Sequence, residues 1–421
     1  MTMKISKFGE KITGISGIGR LMDDLAIALS GGDDILMLGG GNPAQIPEVQ
    51  KTFRASMENL LRDADKFERT ISSYGPPGGD QEFIEAVCKL LGNEFGWDIE
   101  PRNIALADGS QTAFFILFNI FAGTFEDGTH RKILFPLAPE YIGYCDVGIA
   151  DDLFVSYKPQ IERIDDHIFK YRIDFDRLEI ADDIGAICVS RPTNPSSNVL
   201  TDAEIARLSG LARAGGIPLI VDNAYGTPFP NIIFEQVKPA WDRNTIFCMS
   251  LSKLGLPAAR TGIVIAAEEI IEMVSKVNAI LSLAPGGLGP AIVTDMVRTG
   301  EIIKLSRDVI RPFYQNKANA VMAQVFKELD GIGFHVHKPE GAFFLWLWFP
   351  GLPITCAELY ERLKKRGVLV IPGHYFFPGI KEQWPHKNEC IRVNYSQDPA
   401  TVSAGIKAIA EEVKRAYDST T

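Results

Sequence analysis

Cysteine is scarce in this chain: six in 421 residues, at Cys88, Cys145, Cys188, Cys248, Cys356 and Cys390, with no C-x-x-C pair among them. That scatter excludes a disulfide framework and a thiolate metal site. Several lie in apolar strand-like runs such as Ala186-Ile187-Cys188-Val189, so they read as reduced core residues of a cytoplasmic protein. Histidine is equally rare, also six, and without ligand spacing; His335 and His337 read as alternating positions of one strand, and no metal is expected. No stretch approaches the ~18 apolar residues of a membrane span. Met1 to Arg20 mixes Lys4, Lys7, Glu10 and Lys11 with glycines where a signal peptide would need an unbroken apolar core. Positive charge is short as well: 43 Lys and Arg against 53 Asp and Glu give a net charge of −10. Nucleic acid and an anionic membrane are therefore disfavoured as partners, and any anionic ligand has to be met by a local cluster of cations.

What is present is alternation. From about residue 100 to 265 short apolar runs take turns with helix-length segments, the pattern of a sheet built from strand–helix units. Strands are predicted at Ile104–Ala107, Lys132–Phe135, Gly185–Ser190, Pro218–Asp222, Thr245–Met249 and Gly262–Ala266, with helices at Ser110–Phe121 and Asp202–Ala214. The continuously apolar runs Ile184–Val189 and Pro218–Val221 fit strands covered on both faces. Further on, Leu305–Leu329 is predicted as one long helix, and Phe343–Trp348, Val368–Ile371 and Cys390–Tyr395 as strands of a smaller α+β domain. Lys51–Asp65 reads as helical, whereas Gly39–Pro43 and Tyr74–Gly79 are turns by composition. The predicted fold is α/β, a large domain with a mostly parallel sheet between helices plus the smaller domain. The division runs 1–50 for an N-terminal segment, 51–300 for the large domain and 301–421 for the small one.

The chemistry concentrates between Asn194 and Arg260. Ser250-Leu251-Ser252-Lys253 follows Val221-Asp222-Asn223-Ala224-Tyr225 and Asn194-Pro195, and Arg260 stands seven residues beyond the lysine. A lysine that forms an imine to pyridoxal phosphate needs an acid at the ring nitrogen, donors at the ring oxygen, and hydroxyls with a cation at the phosphate. Asp222, at the end of a buried strand, suits the first task, since a buried carboxylate is costly without a partner; alone it also reads as a turn cap. Asn194 and Tyr225 suit the second. Ser250, Ser252 and Arg260 suit the third, joined by Ser110 and Gln111 of Asp108-Gly109-Ser110-Gln111, where a strand passes into a helix N-terminus; Ser110 reads equally as an ordinary N-cap. Tyr141 could stack on the ring or sit in the core. Lys253 has two tasks, holding the cofactor and later moving a proton. Alternation along Ile391-Arg392-Val393-Asn394 puts Arg392 and Asn394 on one face, which makes Arg392 a candidate for a substrate carboxylate or a surface strand arginine. Asn194, Asp222 and Lys253 all follow apolar runs at their carboxyl ends, where ligands bind in open parallel sheets.

In this order the residues resemble the fold-type I pyridoxal phosphate aminotransferases of class I and II: Gly40 and Asn42-Pro43, Tyr74, Gly109-Ser110-Gln111, Asn194-Pro195, Asp222-x-x-Tyr225, Ser250-x-Ser252-Lys253, Arg260 and Arg392. Within the family the strings Leu38–Pro47, Phe135–Tyr144 and Cys248–Pro257 are similar to its valine–pyruvate branch. The resemblance implies a seven-stranded-type sheet in the large domain, pyridoxal 5′-phosphate as cofactor and a homodimer with shared sites. It also implies that Tyr74 reaches the phosphate of the neighbouring subunit and that the backbone near Gly40 meets the substrate. One departure is visible. The family reads Asn-Pro-Thr-Gly where this chain has Asn194-Pro195-Ser196-Ser197, and Asn198 is the residue expected to take up the left-handed conformation that the glycine would have supplied.

The activity so implied is reversible, ping-pong transfer of the amino group of L-valine to pyruvate, giving 3-methyl-2-oxobutanoate and L-alanine. Another small or neutral amino acid, or C–S bond cleavage on the same scaffold, are the alternatives. A cofactor-sensing regulator would carry a DNA-binding module, for which the residues before Leu21 leave no room. Gly14–Arg20, with its glycines, is expected to act as a substrate lid, and Ile18, Tyr74 and Tyr141 are candidates for the side-chain pocket.

Overall fold

The computed structural model describes residues 4–14, 19 and 35–419. Of the expected lid, only Gly14 and Gly19 fall among them; Ile18 and the rest lie outside the described residues.

Two main sheets organise the chain. The larger has eight strands, built on β1 (Ile104–Asp108), β2 (His130–Phe135), β3 (Ile184–Ser190), β4 (Leu219–Asp222), β5 (Thr245–Ser250) and β6 (Thr261–Ile265), in spatial order β1-β6-β5-β4-β3-β2. From β2 to β5 neighbours run parallel, while β6 is antiparallel to both β5 and β1. Two short edge strands beside β2, Gly123–Thr124 and Phe154–Ser156, complete the eight. Every residue of β3 and β5 is buried, as their unbroken apolar sequences require of strands with helices on both faces. The parallel order places the carboxyl ends of β3, β4 and β5 side by side, which brings Asn194, Asp222 and Lys253 to one edge of the sheet.

The second sheet has six strands and includes β7 (Phe344–Trp348) and β8 (Cys390–Asn394), paired antiparallel. Its far edge is the hairpin Gln160–Arg163 and Ile168–Arg172, which joins through His335–His337. The hairpin belongs to the first half of the sequence, so the two sheets are not separated by a cut near residue 300. Val368–Ile371, expected as one strand, is two. Val368–Leu369 pairs with Leu36–Met37, and Ile371–Pro372 pairs with β8, because the two halves satisfy different neighbours.

Helix ends show where local chemistry overrides the apolar pattern. Instead of Lys51–Asp65 there are two helices, α1 (Pro47–Arg62) and α2 (Ala64–Ser72). Pro47 sits in the first turn of α1, where its missing N–H costs nothing, and Asp63 leaves the helix to accept a hydrogen bond from Lys66 N, starting α2. The expected helix Leu305–Leu329 is likewise interrupted by a wide turn at Ser306–Ile310, just before Pro312, whose lack of an N–H breaks the regular ladder. The helix α3 (Ser110–Phe121) matches its predicted span, and α4 (Glu268–Leu281) packs beside β1. Of the six cysteines, four are buried as expected; Cys145 is exposed and Cys88 is half-buried.

Candidate active site

Where the carboxyl ends of β3, β4 and β5 face α3, the structure encloses a cavity of about 520 Å³. Its wall carries Ser110, Gln111, Tyr141, Asn194, Asp222, Tyr225, Ser252, Lys253, Arg260 and Arg392, ten residues that the sequence had singled out from seven separate segments. Three are cations and one is a carboxylate, so the wall is positive in a chain of net charge −10.

Lys253 stands just beyond β5 and donates from Nζ to the carbonyl of Gly41 at 2.8 Å. Burial, with the charges of Arg392 and Arg260, lowers its pKa to about 8 against the opposing pull of Asp222. Asp222 ends β4. Its Oδ2 accepts from Tyr144 Oη at 2.5 Å and its Oδ1 from the backbone N–H of Ala224 at 2.9 Å, while burial raises its pKa. Arg392, on β8, is 2 % exposed, which rules out a surface-facing arginine. Nη1 donates to Asn194 Oδ1 at 2.8 Å, Nη2 donates to the carbonyl of Gly39, and the guanidinium carbon lies 4.3 Å from the centre of the Phe344 ring. Its Nε–H has no hydrogen-bond partner among the described residues. Neither Arg392 nor Arg260 forms an ion pair with a carboxylate among the described residues; Arg260 reaches only the carbonyls of Pro257 and Asp108, at 3.4 and 3.3 Å. Arg260 is exposed, but for the buried Arg392 guanidinium the lack of a carboxylate partner among the described residues is costly unless a ligand anion supplies one.

The phosphate end is shaped by backbone. Gly109 precedes α3 with φ +84°, and a Cβ there would lie 2.2 Å from Arg260 Nη2, so only glycine lets the guanidinium lie over the turn. Gly109, not Ser110, is the N-cap, which leaves the Ser110 hydroxyl on the wall at the first helical position. The hydroxyls of Ser110, Ser252, Tyr141 and Tyr225 have no hydrogen-bond partner among the described residues. Gln111 donates through Nε2 to the carbonyl of Gly143 at 3.1 Å, and its buried Oε1 has no partner among the described residues. Three expected residues are not on the wall. The Ser250 hydroxyl is turned inward, accepting from Ser252 N at 3.1 Å. Gly40 lies behind Gly41 and Asn42, its carbonyl taken by Asn394 Nδ2 at 2.7 Å. Tyr74 is 83 % exposed on the surface.

The turn after Asn194 also departs from expectation. Ser197 itself, not Asn198, adopts the left-handed conformation, at φ 63°. It is held there by its hydroxyl, which donates to Phe344 O at 2.7 Å, and by its N–H, which donates to Thr193 O at 2.8 Å.

Residues that sequence reasoning passed over are Ser190, Pro192, Ala224 and Pro257 on the wall, and Tyr144 and Glu140 behind it. The string Pro139-Glu140-Tyr141-Ile142-Gly143-Tyr144 carried the last two, but nothing local says that Tyr144 turns toward Asp222, 78 residues away.

Arginines that no carboxylate among the described residues pairs, a helix N-terminus lined with hydroxyls and one half-buried acid suit an anionic, ring-bearing group such as pyridoxal 5′-phosphate. Ser110, Ser252 and Arg260 would hold its phosphate and Lys253 its aldehyde carbon, with Asp222 facing the ring nitrogen.

The aminotransferase class I and II family matches residues 33–409 of this chain. The chain is 51% identical to valine–pyruvate aminotransferase of Escherichia coli over 415 residues, 99% of each protein. It superposes on the crystal structure of valine–pyruvate aminotransferase from Salmonella typhimurium with a TM-score of 0.87 at 49% identity, covering 95% of this chain and 99% of the other. Aspartate aminotransferase of Thermus thermophilus shares the fold at 18% identity, with a TM-score of 0.78 over 98% of this chain and 100% of the other.

Proposed function

The chain belongs to the class I and II aminotransferases, and we propose that within this family it carries the amino group of L-valine to pyruvate, yielding 3-methyl-2-oxobutanoate and L-alanine in two half-reactions at one site. The choice of substrates is supported by two relatives that bear this activity in their names, at 51% and 49% identity over almost their whole length. The observation that carries the site assignment is Lys253, with its lowered pKa, facing the same cavity as Asp222 and two arginines that no carboxylate among the described residues pairs.

When bound, pyridoxal 5′-phosphate supplies an aldehyde carbon that takes up nitrogen and a ring that accepts electrons from the substrate α-carbon. Lys253 would hold it through Nζ, and the same amine, when free, would take the proton from the substrate α-carbon. Asp222 would keep the ring nitrogen protonated by charge pairing. Tyr225 Oη and Asn194 Nδ2 would donate to the ring oxygen, the second being available for this because Asn194 Oδ1 is committed to Arg392. Arg392 would take the substrate carboxylate through its fork, and Tyr141, on the same wall, would pack against the ring. Ser250 supports Ser252 from behind.

A homodimer completes the reading. Ile71, Tyr74, Ile280, Leu283 and Leu288 are exposed apolar residues at 62, 83, 83, 57 and 43 %. Their segments adjoin: Asn278 Nδ2 donates to Pro77 O at 3.0 Å, and Gly286 N donates to Asp108 Oδ1 at 2.9 Å, next to the phosphate end. A second copy covering this face would bring its Tyr74 to that end. Six unpaired thiols fit the reducing cytoplasm as its compartment.

The test is product analysis with absorption spectroscopy on the holoenzyme. L-Valine alone should abolish the visible cofactor band, pyruvate should restore it with formation of L-alanine, and Lys253→Ala should do neither. Pyruvate and ammonia released from a cysteine thioether would point to C–S cleavage instead.

A further inference from the structure

Behind Asp222 lies a second carboxyl group for which the chemistry above has no use. Glu140 is 0 % exposed, and no cation pairs with it among the described residues. Its Oε1 accepts from Ser190 N at 3.0 Å and its Oε2 lies 2.6 Å from Ser190 Oγ. Ser190 Oγ lies 3.3 Å from Tyr144 Oη, which donates to Asp222 Oδ2 at 2.5 Å. Glu140 and Asp222 are thus the two ends of one buried line of oxygens, drawn from the loop after β2, the end of β3 and the end of β4. The other titratable groups facing this line are the thiols of Cys188 and Cys248 and the phenols of Tyr141 and Tyr225, with Lys253 on the cavity side.

The direction of the line follows from proton counting. Burial, with the charge of Asp222, raises the pKa of Glu140 to about 8 against the hydrogen bonds from Ser190, so at pH 7 it carries a proton. Toward an ionised Glu140 the Ser190 hydroxyl would donate to Oε2; a protonated Glu140, whose Oε1 already accepts from Ser190 N–H, reverses that bond and carries its proton on Oε2, facing Ser190 Oγ. The serine hydroxyl is then free to donate to Tyr144, and Tyr144 to Asp222. Each donor polarises the next, and all of them point at the Asp222 carboxylate. An ionised Glu140 would draw the serine proton back to itself and leave the 3.3 Å contact to Tyr144 without a hydrogen.

We propose that Glu140 is a positioning residue: it heads a donor chain through Ser190 and Tyr144 that holds Asp222 as an oriented anion for the cofactor ring. This rests on the reading that Asp222 meets the ring nitrogen. The test measures the affinity of the apoprotein for pyridoxal 5′-phosphate in the full-length wild type, Glu140→Gln, Glu140→Leu, Tyr144→Phe and the Leu/Phe double variant. Glutamine keeps an N–H donor toward Ser190 Oγ and a carbonyl for Ser190 N–H, so its affinity should stay within about threefold of wild type. Glu140→Leu and Tyr144→Phe should each weaken binding about 10- to 100-fold, the range of a hydrogen bond to a charged group. The double variant should be no weaker than Tyr144→Phe. If Glu140→Leu does not fold, Ser190→Ala, which cuts the chain in the middle, should match Tyr144→Phe. A glutamine variant as weak as leucine, additive losses in the double variant, or Ser190→Ala at wild-type affinity would each overturn the proposal. A wild-type apoprotein that fails to take up the cofactor would overturn the functional reading beneath it.

Discussion

Lys253 shows how a single residue acquires its chemistry from its surroundings. An exposed lysine is a cation at neutral pH, but this one is half-buried and desolvated beside Arg392, so its neutral amine becomes available as pH rises through about 8. Uptake of pyridoxal 5′-phosphate by the apoprotein should accelerate over the same range, with a midpoint near pH 8 in the growth of the visible band. A midpoint at the ordinary value of 10.5 would show that the neighbouring charge and burial do not act on it. Arg392 supports a separate expectation, because the fork that meets a carboxylate is a matter of shape as well as charge. Arg392→Lys should raise the KM of every amino acid substrate about 10- to 100-fold and leave cofactor affinity unchanged; loss of the cofactor instead would reassign the residue. Lys253, Asp222, Tyr225, Asn194, Arg260 and Arg392 were legible because each is a chemistry-bearing type in a short motif or, for Arg392, on an alternating strand. Glu140, Ser190 and Tyr144 were not, since a hydrogen-bond line assembled from three segments leaves no local signature.

At the scale of elements, backbone conformation decides where these side chains point. Gly109 makes room for Arg260, and Gly109→Ala should displace the guanidinium and weaken cofactor binding by about tenfold or more, with secondary structure by circular dichroism retained. Ser197 meets the opposite demand, a side chain in a left-handed position, at a conformational cost of about 1–2 kcal/mol. Its hydroxyl bond to Phe344 O returns about 1 kcal/mol. Ser197→Gly should therefore leave stability within about 1 kcal/mol of wild type, whereas the β-branched Ser197→Val should lower it by about 2 kcal/mol or more in thermal unfolding of the apoprotein. The departures among helices and strands have the same origin. Apolar pattern announces that an element exists, while Asp63, Pro312 and the divided partners of Val368–Ile371 determine where it stops.

The molecule as a whole joins its two sheets through buried polar groups as well as apolar packing. Lys170, on the hairpin of the second sheet, pairs with Glu340 and donates to Val199 O at 2.9 Å, and Glu340 Oε2 accepts from Val199 N at 3.0 Å. These contacts lie next to the loop that carries Asn194 and Ser197. The exposed apolar face around Tyr74 and Ile280 is the whole-molecule feature with a direct test. Light scattering should give twice the chain mass, Ile280→Asp should shift the protein toward monomer, and Tyr74→Phe should weaken cofactor binding without changing association. A wild-type monomer would sink the proposed role of Tyr74.

By itself the sequence determined the class of fold, through strand-length apolar runs alternating with helices, and the chemical types at the site, through residues placed at the ends of those runs. Both are local properties, set by side-chain period and residue identity. Only the tertiary structure decided that Arg392, 198 residues from Asn194, closes the wall of the cavity, that Ser250 turns away from it, and that a buried glutamic acid stands behind Asp222. Those are consequences of packing, in which distant segments share a low-dielectric space and every buried polar group must find its partner there.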